Sequence, residues 1–371
     1  MRLLLVLLFC GYLGSAQTGV LVTDSIHSSG VFRKFYFYIP ASYDSVNAMP
    51  LLIDLHDLSA GAQSQQSNSG FMMVSDTAGF LLVNPQGSGT SPYWNAGLSG
   101  GSPYDVQFIS DLIDSLGARF MVNSNRVYAC GFGNGGIMSY YLSCALHSKI
   151  AAIASVAGTM YGNWFSSCNP NRAVPVMEIH GTQDGTVPYQ GSTLYVPVDT
   201  VIKSWRIHNK CGVTPATYSI ADTNTSDNST AVNMRYTGGI DNSTVELFRV
   251  TGGSHSWPGS LPVIPSTNLD FSASAEIWRF FRQFTLSQFT TKVGTGELTQ
   301  SPMRLFPNPA TTEMIIEGAG SSVFFILSAD GRKVAEGILN GVLDISRLQN
   351  GIYYLCIEAD GYRQGCRFIK N

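Results

Sequence analysis

The stretch Arg126-Val127-Tyr128-Ala129-Cys130-Gly131-Phe132-Gly133-Asn134-Gly135-Gly136 decides the fold. An apolar run fit for a buried strand meets a glycine-rich sharp turn, and a helix is expected just beyond it, from about Gly136 to Leu146. Two chemistries use that shape. The dinucleotide fingerprint G-x-G-x-x-G is matched letter for letter by Gly131, Gly133 and Gly136, with pyrophosphate on the helix N-terminus. It needs an acidic residue about twenty positions on to hold a ribose, and no Asp or Glu occurs between Gly136 and Glu178. The other is the nucleophile elbow G-x-S-x-G, whose middle residue is held in a strained turn with its side chain exposed above the sheet. Its acid and its histidine follow later in the chain.

Outward from the elbow, short apolar runs alternate with helical periodicity. Strands are expected at Phe35–Ile39, Leu51–Leu55, Phe80–Asn84, Arg126–Cys130, Ala151–Val156, Val174–His180 and Val245–Val250. Several are apolar on consecutive positions, which suits strands covered on both faces. Ile109, Leu112, Ile113, Leu116 and Phe120 fall at helical spacing in Asp105–Phe120, and Ile277, Trp278, Phe281 and Phe284 form one stripe in Ser274–Phe284, with Ser272 or Ser274 as N-cap. The class is α/β. Downstream of the elbow, His180-Gly181-Thr182-Gln183-Asp184 places a carboxylate just after a strand, and Gly252-Gly253-Ser254-His255-Ser256-Trp257-Pro258-Gly259 places a histidine in a late loop.

At these residues the chain resembles the secreted polyhydroxybutyrate depolymerase and feruloyl esterase group of α/β-hydrolases, over roughly residues 20 to 284. Further matching pieces are Ile39-Pro40-Ala41-Ser42-Tyr43, Leu55-His56, Asn84-Pro85-Gln86-Gly87, Trp94-Asn95-Ala96-Gly97, Asp105-Val106 and Ile277-Trp278 with Phe280-Phe281. The resemblance implies Asp184 as the acid and His255 as the base that takes a nucleophile's proton and returns it to the leaving alcohol. It also implies Trp94, Asn95 and Trp257 as cleft-lining residues, against ordinary core packing as the plain alternative. No cofactor and no metal is expected: His56, Asp54 and His180 are read as satisfied polar residues at strand ends.

Two departures bear on mechanism. Gly133 stands between the elbow glycines where the group has serine, and Leu55-His56-Asp57-Leu58-Ser59-Ala60-Gly61 puts Asp57 beside Asn134 in the oxyanion region. A carboxylate there is expected to oppose a developing oxyanion, where one donor is worth about 3 to 4 kcal/mol. The favoured expectation is a catalytically impaired protein that binds an ester-bearing polymer or polysaccharide. The alternative is an active carboxylic ester hydrolase, of the polyhydroxybutyrate depolymerase or feruloyl/acetyl xylan esterase type, using Asp184 and His255 with Ser254, Ser256 or an activated water. Gly133→Ser is expected to recover some activity, and more with Asp57→Gly added.

Of 371 residues only 13% are charged, and the formal net charge is -3. No basic surplus exists to neutralise nucleic acid or an anionic membrane. Arg2, the apolar run Leu3 to Phe9 and Gly14-Ser15-Ala16 read as a signal peptide over 1–16, followed by the main domain over 17–284. After Phe9 no apolar run reaches the ~18 residues of a membrane span. Export permits disulfides, and a Cys356–Cys366 cross-strand bridge around Asp360-Gly361 is one expectation, with Cys130 a buried thiol. Residues 285–302 read as a linker and 303–371 as a small β-sandwich of short strands between Asp-Gly and Asn-Gly turns. Leu305-Phe306-Pro307-Asn308-Pro309-Ala310, Asn350-Gly351-Ile352-Tyr353-Tyr354-Leu355 and Arg367-Phe368-Ile369-Lys370 resemble the C-terminal sorting domain of type IX secretion. That implies the type IX machinery as partner and a secreted or outer-surface location in a Gram-negative bacterium.

Overall fold

A computed structural model describes residues 19–98, 104–260, 266–288, 304–317, 322–328, 333–339, 341–359 and 362–371. The expected signal peptide and most of the expected linker lie outside the described residues. The chain divides into two compact units, Met1–Thr291 and Lys292–Asn371.

The first unit is built on a ten-stranded sheet. Its strands are β1 (Val20–Ser28), β2 (Val31–Ile39), β3 (Met49–Leu55), β4 (Leu81–Pro85), β5 (Val122–Phe132), β6 (Ala152–Val156), β7 (Val176–Gly181), β8 (Ala216–Ser219), β9 (Thr230–Tyr236) and β10 (Val245–Thr251). They lie in the order β1-β2-β4-β3-β5-β6-β7-β10-β9-β8. From β4 to β10 every neighbouring pair is parallel, and antiparallel strands close both edges. Alternate residues of the central strands feed two different cores. Leu51, Ile53, Leu55, Val127 and Ala129 pack on one face with α3 (Asp105–Arg119) and α6 (Val198–His208). Leu52, Tyr128 and Cys130 pack on the other with α2 (Phe71–Ala78) and α7 (Ala273–Phe281). Burial on both faces explains the unbroken apolar runs. The Ser272 hydroxyl caps α7 by accepting from the Ala275 N–H at 3.3 Å.

The elements that the sequence pattern does not announce have physical reasons. Strand β1 is a half-exposed edge whose burial alternates residue by residue. Helix α1 (Ala62–Ser69) buries polar residues: Gln65 and Ser69 donate to the Asp54 carboxylate, and Gln66 donates to Asn84. A helix with a buried polar face has no hydrophobic period to read.

A disulfide joins Cys144, in α4 (Asn134–Ala145), to Cys168, just beyond α5 (Gly162–Phe165). Cys130 and Cys211 are buried free thiols. The expected Cys356–Cys366 bridge does not form, because Cys356 is free. The pairing of β16 (Gly351–Ala359) with β17 (Tyr362–Lys370) sets Cys356 opposite Gly365 and Cys366 opposite Leu355. A one-residue offset sends the two positions to opposite faces. The second unit has two antiparallel sheets, β11 (Arg304–Phe306), β12 (Glu313–Glu317) and β15 (Val342–Asp344), and β14 (Lys333–Leu339), β13 (Ser322–Ser328), β16 and β17. Met314, Ile316 and Leu343 of the one share a core with Ile326, Leu355 and Phe368 of the other.

Closing a loop of 24 residues restricts the unfolded chain by about 3 kcal/mol. Replacing Cys144 and Cys168 together by alanine is expected to lower the unfolding free energy of the first unit by roughly that amount in a urea titration. An unchanged midpoint would show that the bridge contributes nothing.

Candidate active site

Four loops leave the C-terminal ends of the parallel strands on one edge of the sheet. Asp57 follows β3, Gly133 and Asn134 follow β5, Asp184 follows β7 and His255 follows β10. Register fixes their depth: Leu55 pairs with Gly131 and Val250 with Gly181.

Gly133 has φ +50° and ψ -113°, the turn that converts β5 into α4. The neighbouring Gly135 is required by close approach, since a Cβ there would stand 2.2 Å from the Leu55 carbonyl oxygen. At Gly133 the obstacle is different: a Cβ would lie 2.1 Å from Asp57 Oδ1 and 2.4 Å from its Cγ. The Asp57 carboxylate therefore occupies the space of an elbow side chain. Gly133 and Asp57 are therefore coupled, since a side chain at 133 requires the Asp57 carboxylate to move.

Backbone donors hold that carboxylate. Asp57 Oδ1 accepts from the Asn134 N–H at 2.7 Å and the Leu58 N–H at 2.7 Å. The carboxylate does not merely stand near the oxyanion region, as expected from sequence; it fills a cradle of two convergent N–H groups. The cradle is braced from behind. The Gly87 N–H donates to His56 Nε2 at 2.8 Å, which leaves the ring proton on Nδ1 to donate to the Asp57 carbonyl at 2.7 Å. Burial depresses the His56 pKa, so this ring is neutral. The Trp94 indole N–H donates to the His56 carbonyl at 2.9 Å, while Asn134 ties its side-chain amide to both backbone groups of Trp94.

His255 joins the parts. Its Nδ1 donates to Asp184 Oδ2 at 2.8 Å and its Nε2 to Asp57 Oδ2 at 3.2 Å, while its ring stacks on Phe132 at 4.7 Å. Burial alone would push His255 down, but the hydrogen bonds to Asp184 and Asp57, with their charges, carry its pKa up to about 9. It is an imidazolium at neutral pH. Burial would likewise raise Asp184, yet its bonds to His180 and His255 hold it well below the carboxylate range. Asp184 Oδ1 also accepts from the Thr186 and Val187 N–H groups, both at 2.8 Å. Behind it His180 donates from Nε2 to the Val187 carbonyl at 2.8 Å, with Asp184 Oδ2 at 3.4 Å, and from Nδ1 to Glu178 at 2.9 Å. Hydrogen bonds to Asp184 and Glu178 overcome the burial of His180 and lift its pKa to about 10. Glu178, His180, Asp184, His255 and Asp57 thus form a row in which carboxyl groups alternate with the two histidines, with burial raising the Glu178 pKa at its inner end. The sequence pattern marked His180 as part of a motif and as a satisfied polar residue at a strand end, and it assigned Glu178 no role.

The expected cleft residues are placed otherwise. Trp94 and Trp257 are buried, and their indole N–H groups bond to the His56 carbonyl and the Ser274 hydroxyl. They are core and brace, because a large apolar ring with a satisfied N–H gains most by leaving water. Asn95 is half-buried, and its N–H donates to Asp105 at 2.8 Å. Asp54 bonds to Gln65, Ser69 and Asn84, which fits the expectation of satisfied polar residues at that strand end. Among the described residues no group of three or more His, Cys, Asp or Glu is arranged to hold a metal ion.

Residues 101–215 match the phospholipase/carboxylesterase family model, and residues 304–371 match the secretion system C-terminal sorting domain. The chain is 28% identical over 294 residues to a bifunctional acetylxylan esterase/xylanase, XynS20E, of Neocallimastix patriciarum, covering 78% of this chain and 38% of the relative. It is 31% identical over 163 residues to feruloyl esterase B of Piromyces equi, covering 43% and 30% of the two chains. The chain thus spans well under half the length of these relatives. An acetyl xylan esterase structure from Aspergillus awamori superposes with TM-score 0.56 at 15% identity, covering 71% of this chain and 99% of that one. The first unit thus has the α/β-hydrolase fold, with a match to the carboxylesterase model over part of it, and the second matches a secretion sorting domain model.

The charge row makes a pH prediction. His255 has its pKa raised from 6.5 to about 9, so its stabilising contribution is complete below pH ~6.5 and is lost as pH rises through about 9. The first unit is expected to lose on the order of 2 to 3 kcal/mol across that window in urea titrations. NMR of the His255 ring should place its midpoint near 9, and Asp57→Asn should lower it. A midpoint near the ordinary histidine value in the unaltered protein would refute the paired arrangement.

Proposed function

We propose that this esterase-type α/β-hydrolase unit is closed to serine chemistry and binds an ester-bearing polymer or polysaccharide outside the cell. The observation that carries the reading is the Asp57 carboxylate, seated on the Asn134 and Leu58 N–H groups and against His255. Three requirements of serine catalysis fail together. Gly133 supplies no hydroxyl, the two N–H donors already hold an oxygen, and His255 is protonated and has no lone pair to take a proton. An esterase that recruits Ser254, Ser256 or a water needs one ring nitrogen of His255 free, and both are engaged by carboxylates. The ligand class is supported by the relatives, which are named for acetylxylan and feruloyl esters, and a role outside the cell by the match to a secretion sorting domain.

The unaltered protein is expected to show no hydrolysis of p-nitrophenyl butyrate or methyl ferulate above background, since losing a serine nucleophile costs about six orders of magnitude in turnover. It is expected to be retained by acetylated or feruloylated xylan more than by the deacylated polymer. Equal retention would remove the ligand assignment, and clear hydrolysis abolished by His255→Ala would remove the impaired reading.

Gly133→Ser alone is expected to recover little activity, because its Cβ meets Asp57 Oδ1 at 2.1 Å and the carboxylate must leave its two N–H donors to make room. Only Gly133→Ser with Asp57→Gly vacates both the elbow and the cradle. That double variant should show measurable ester hydrolysis, lost again with His255→Ala. The positive φ at 133 caps the gain, costing a serine about 1 to 3 kcal/mol.

A further inference from the structure

Three residues before Asp57, the Asp54 carboxylate lies fully buried at the end of β3. Its oxygens accept from Gln65 Nε2 at 2.8 Å, Ser69 Oγ at 2.7 Å, Asn84 Nδ2 at 3.0 Å and the Cys130 thiol at 3.8 Å. Every one of these partners is uncharged, so the carboxylate has donors without a counter-charge. From Ser69 the hydrogen bonds continue. The Ser69 carbonyl, at the end of α1, accepts from the Ser274 hydroxyl of α7, and Ser274 Oγ accepts from the Trp257 indole N–H at 3.0 Å. Trp257 stands two residues after His255, and its ring meets Phe132, on which the His255 ring stacks. Ser69, Ser274 and Trp257 are buried, so water does not compete for these bonds. A polar path thus joins the strand that leads to Asp57 with the loop that carries His255.

We infer that Asp54 is a positioning residue for the Asp57–His255 contact: through this path its ionised form holds the two loops together, and its neutral form releases them. This goes beyond the ligand reading and holds whatever the site binds. An ionised Asp54 takes its donors in charge-assisted bonds, roughly twice as strong as neutral ones. A protonated Asp54 must itself donate, and it is surrounded by donors. The acceptor nearest to it is the Ser69 hydroxyl oxygen. Turning that bond round leaves the Ser69 hydroxyl hydrogen without its carboxylate, which slackens the end of α1 against β3 and, with it, the Ser274 and Trp257 limb of the path.

The surroundings place this change of state at neutral pH. Burial raises the Asp54 pKa to about 7, although its four donors pull the other way. The elements packed on β3 bring few charges. Helix α1 and strand β4 contain no acid or base. Strand β5 brings the Cys130 thiol, kept neutral by burial, and Arg126, which donates to the Tyr128 hydroxyl. Helix α4 brings Tyr140, bonded to Glu178, and Tyr141, set against Trp164. Beyond β3 come His56, whose pKa burial depresses, and Asp57 itself. In α7, Glu276 and Arg279 pair with each other. Among the described residues no cation meets Asp54, so its charge is free to change without breaking an ion pair.

The test follows the Asp54 carboxyl carbon and the His255 ring by NMR in the full-length protein through neutral pH. In the unaltered protein the Asp54 signal is expected to titrate near pH 7, and the His255 ring signals are expected to move with the same midpoint, well below their own titration near 9. This readout depends on no variant folding. In Asp54→Asn the step at His255 is expected to vanish and the His255 midpoint to fall. In Ser274→Ala, which cuts the path and keeps the carboxylate, Asp54 is expected to titrate still while the step at His255 is lost. A merely structural Asp54 would change stability in the variants and leave no step at His255 to lose. Absence of the step from the unaltered protein, its persistence in Asp54→Asn, or an undiminished step in Ser274→Ala overturns the inference. Hydrolysis of p-nitrophenyl butyrate by the unaltered protein would instead count against the closed serine route, so the two failures are told apart.

Discussion

The contact on which the site depends is between the Asp57 carboxylate and the His255 imidazolium, with the other Asp57 oxygen seated on two backbone N–H groups. A carboxylate partly withdrawn from water needs donors for its lone pairs and a counter-charge, and here it has both. The same cation is shared with Asp184, which leans in turn on His180 and, through it, on buried Glu178. Alternation of sign lets this row sit at the end of an apolar sheet. Deleting either histidine leaves two carboxyl groups facing each other, and deleting Asp184 leaves each histidine with a single carboxyl partner.

The sheet makes the contact possible. Parallel strands all present their C-terminal ends at one edge, so loops far apart in sequence converge without long connections. Four such loops supply the participants, and the brace of His56, Trp94 and Asn134 fixes the β3 loop relative to the elbow. The rigidity comes from buried hydrogen bonds among backbone groups and neutral side chains, and it costs the protein its expected aromatic cleft residues. Trp94 is used as a strut.

Gly133 and Asp57 are coupled by volume. A residue with a Cβ at the elbow and a carboxylate in the cradle compete for the same volume, 2.1 Å apart. Asp184 and His255 are hydrogen-bonded at 2.8 Å, and the neighbouring Asp57 carboxylate helps to keep His255 protonated.

Much was legible in the sequence. The α/β class followed from alternating apolar runs and helical stripes, the sharp turn from its glycines, and Asp184 and His255 from order along the chain. Asp57 and Asn134 were singled out as neighbours of the oxyanion region. What stayed hidden has one cause: sequence gives the type and order of side chains, and volume, direction and protonation arise only when loops meet. An indole reads the same whether it lines a cleft or fills a core, so the sequence left both readings open for Trp94 and Trp257, and burial decides for the core. Cysteine spacing does not encode register, so Cys356 and Cys366 looked paired while Cys144 and Cys168 were joined. A polar helix face that buries Gln65 and Ser69 against Asp54 carries no period. That Asp57 fills the elbow, and that His255 is consequently charged, required the distance between the ends of β3, β5 and β10, which tertiary packing alone sets.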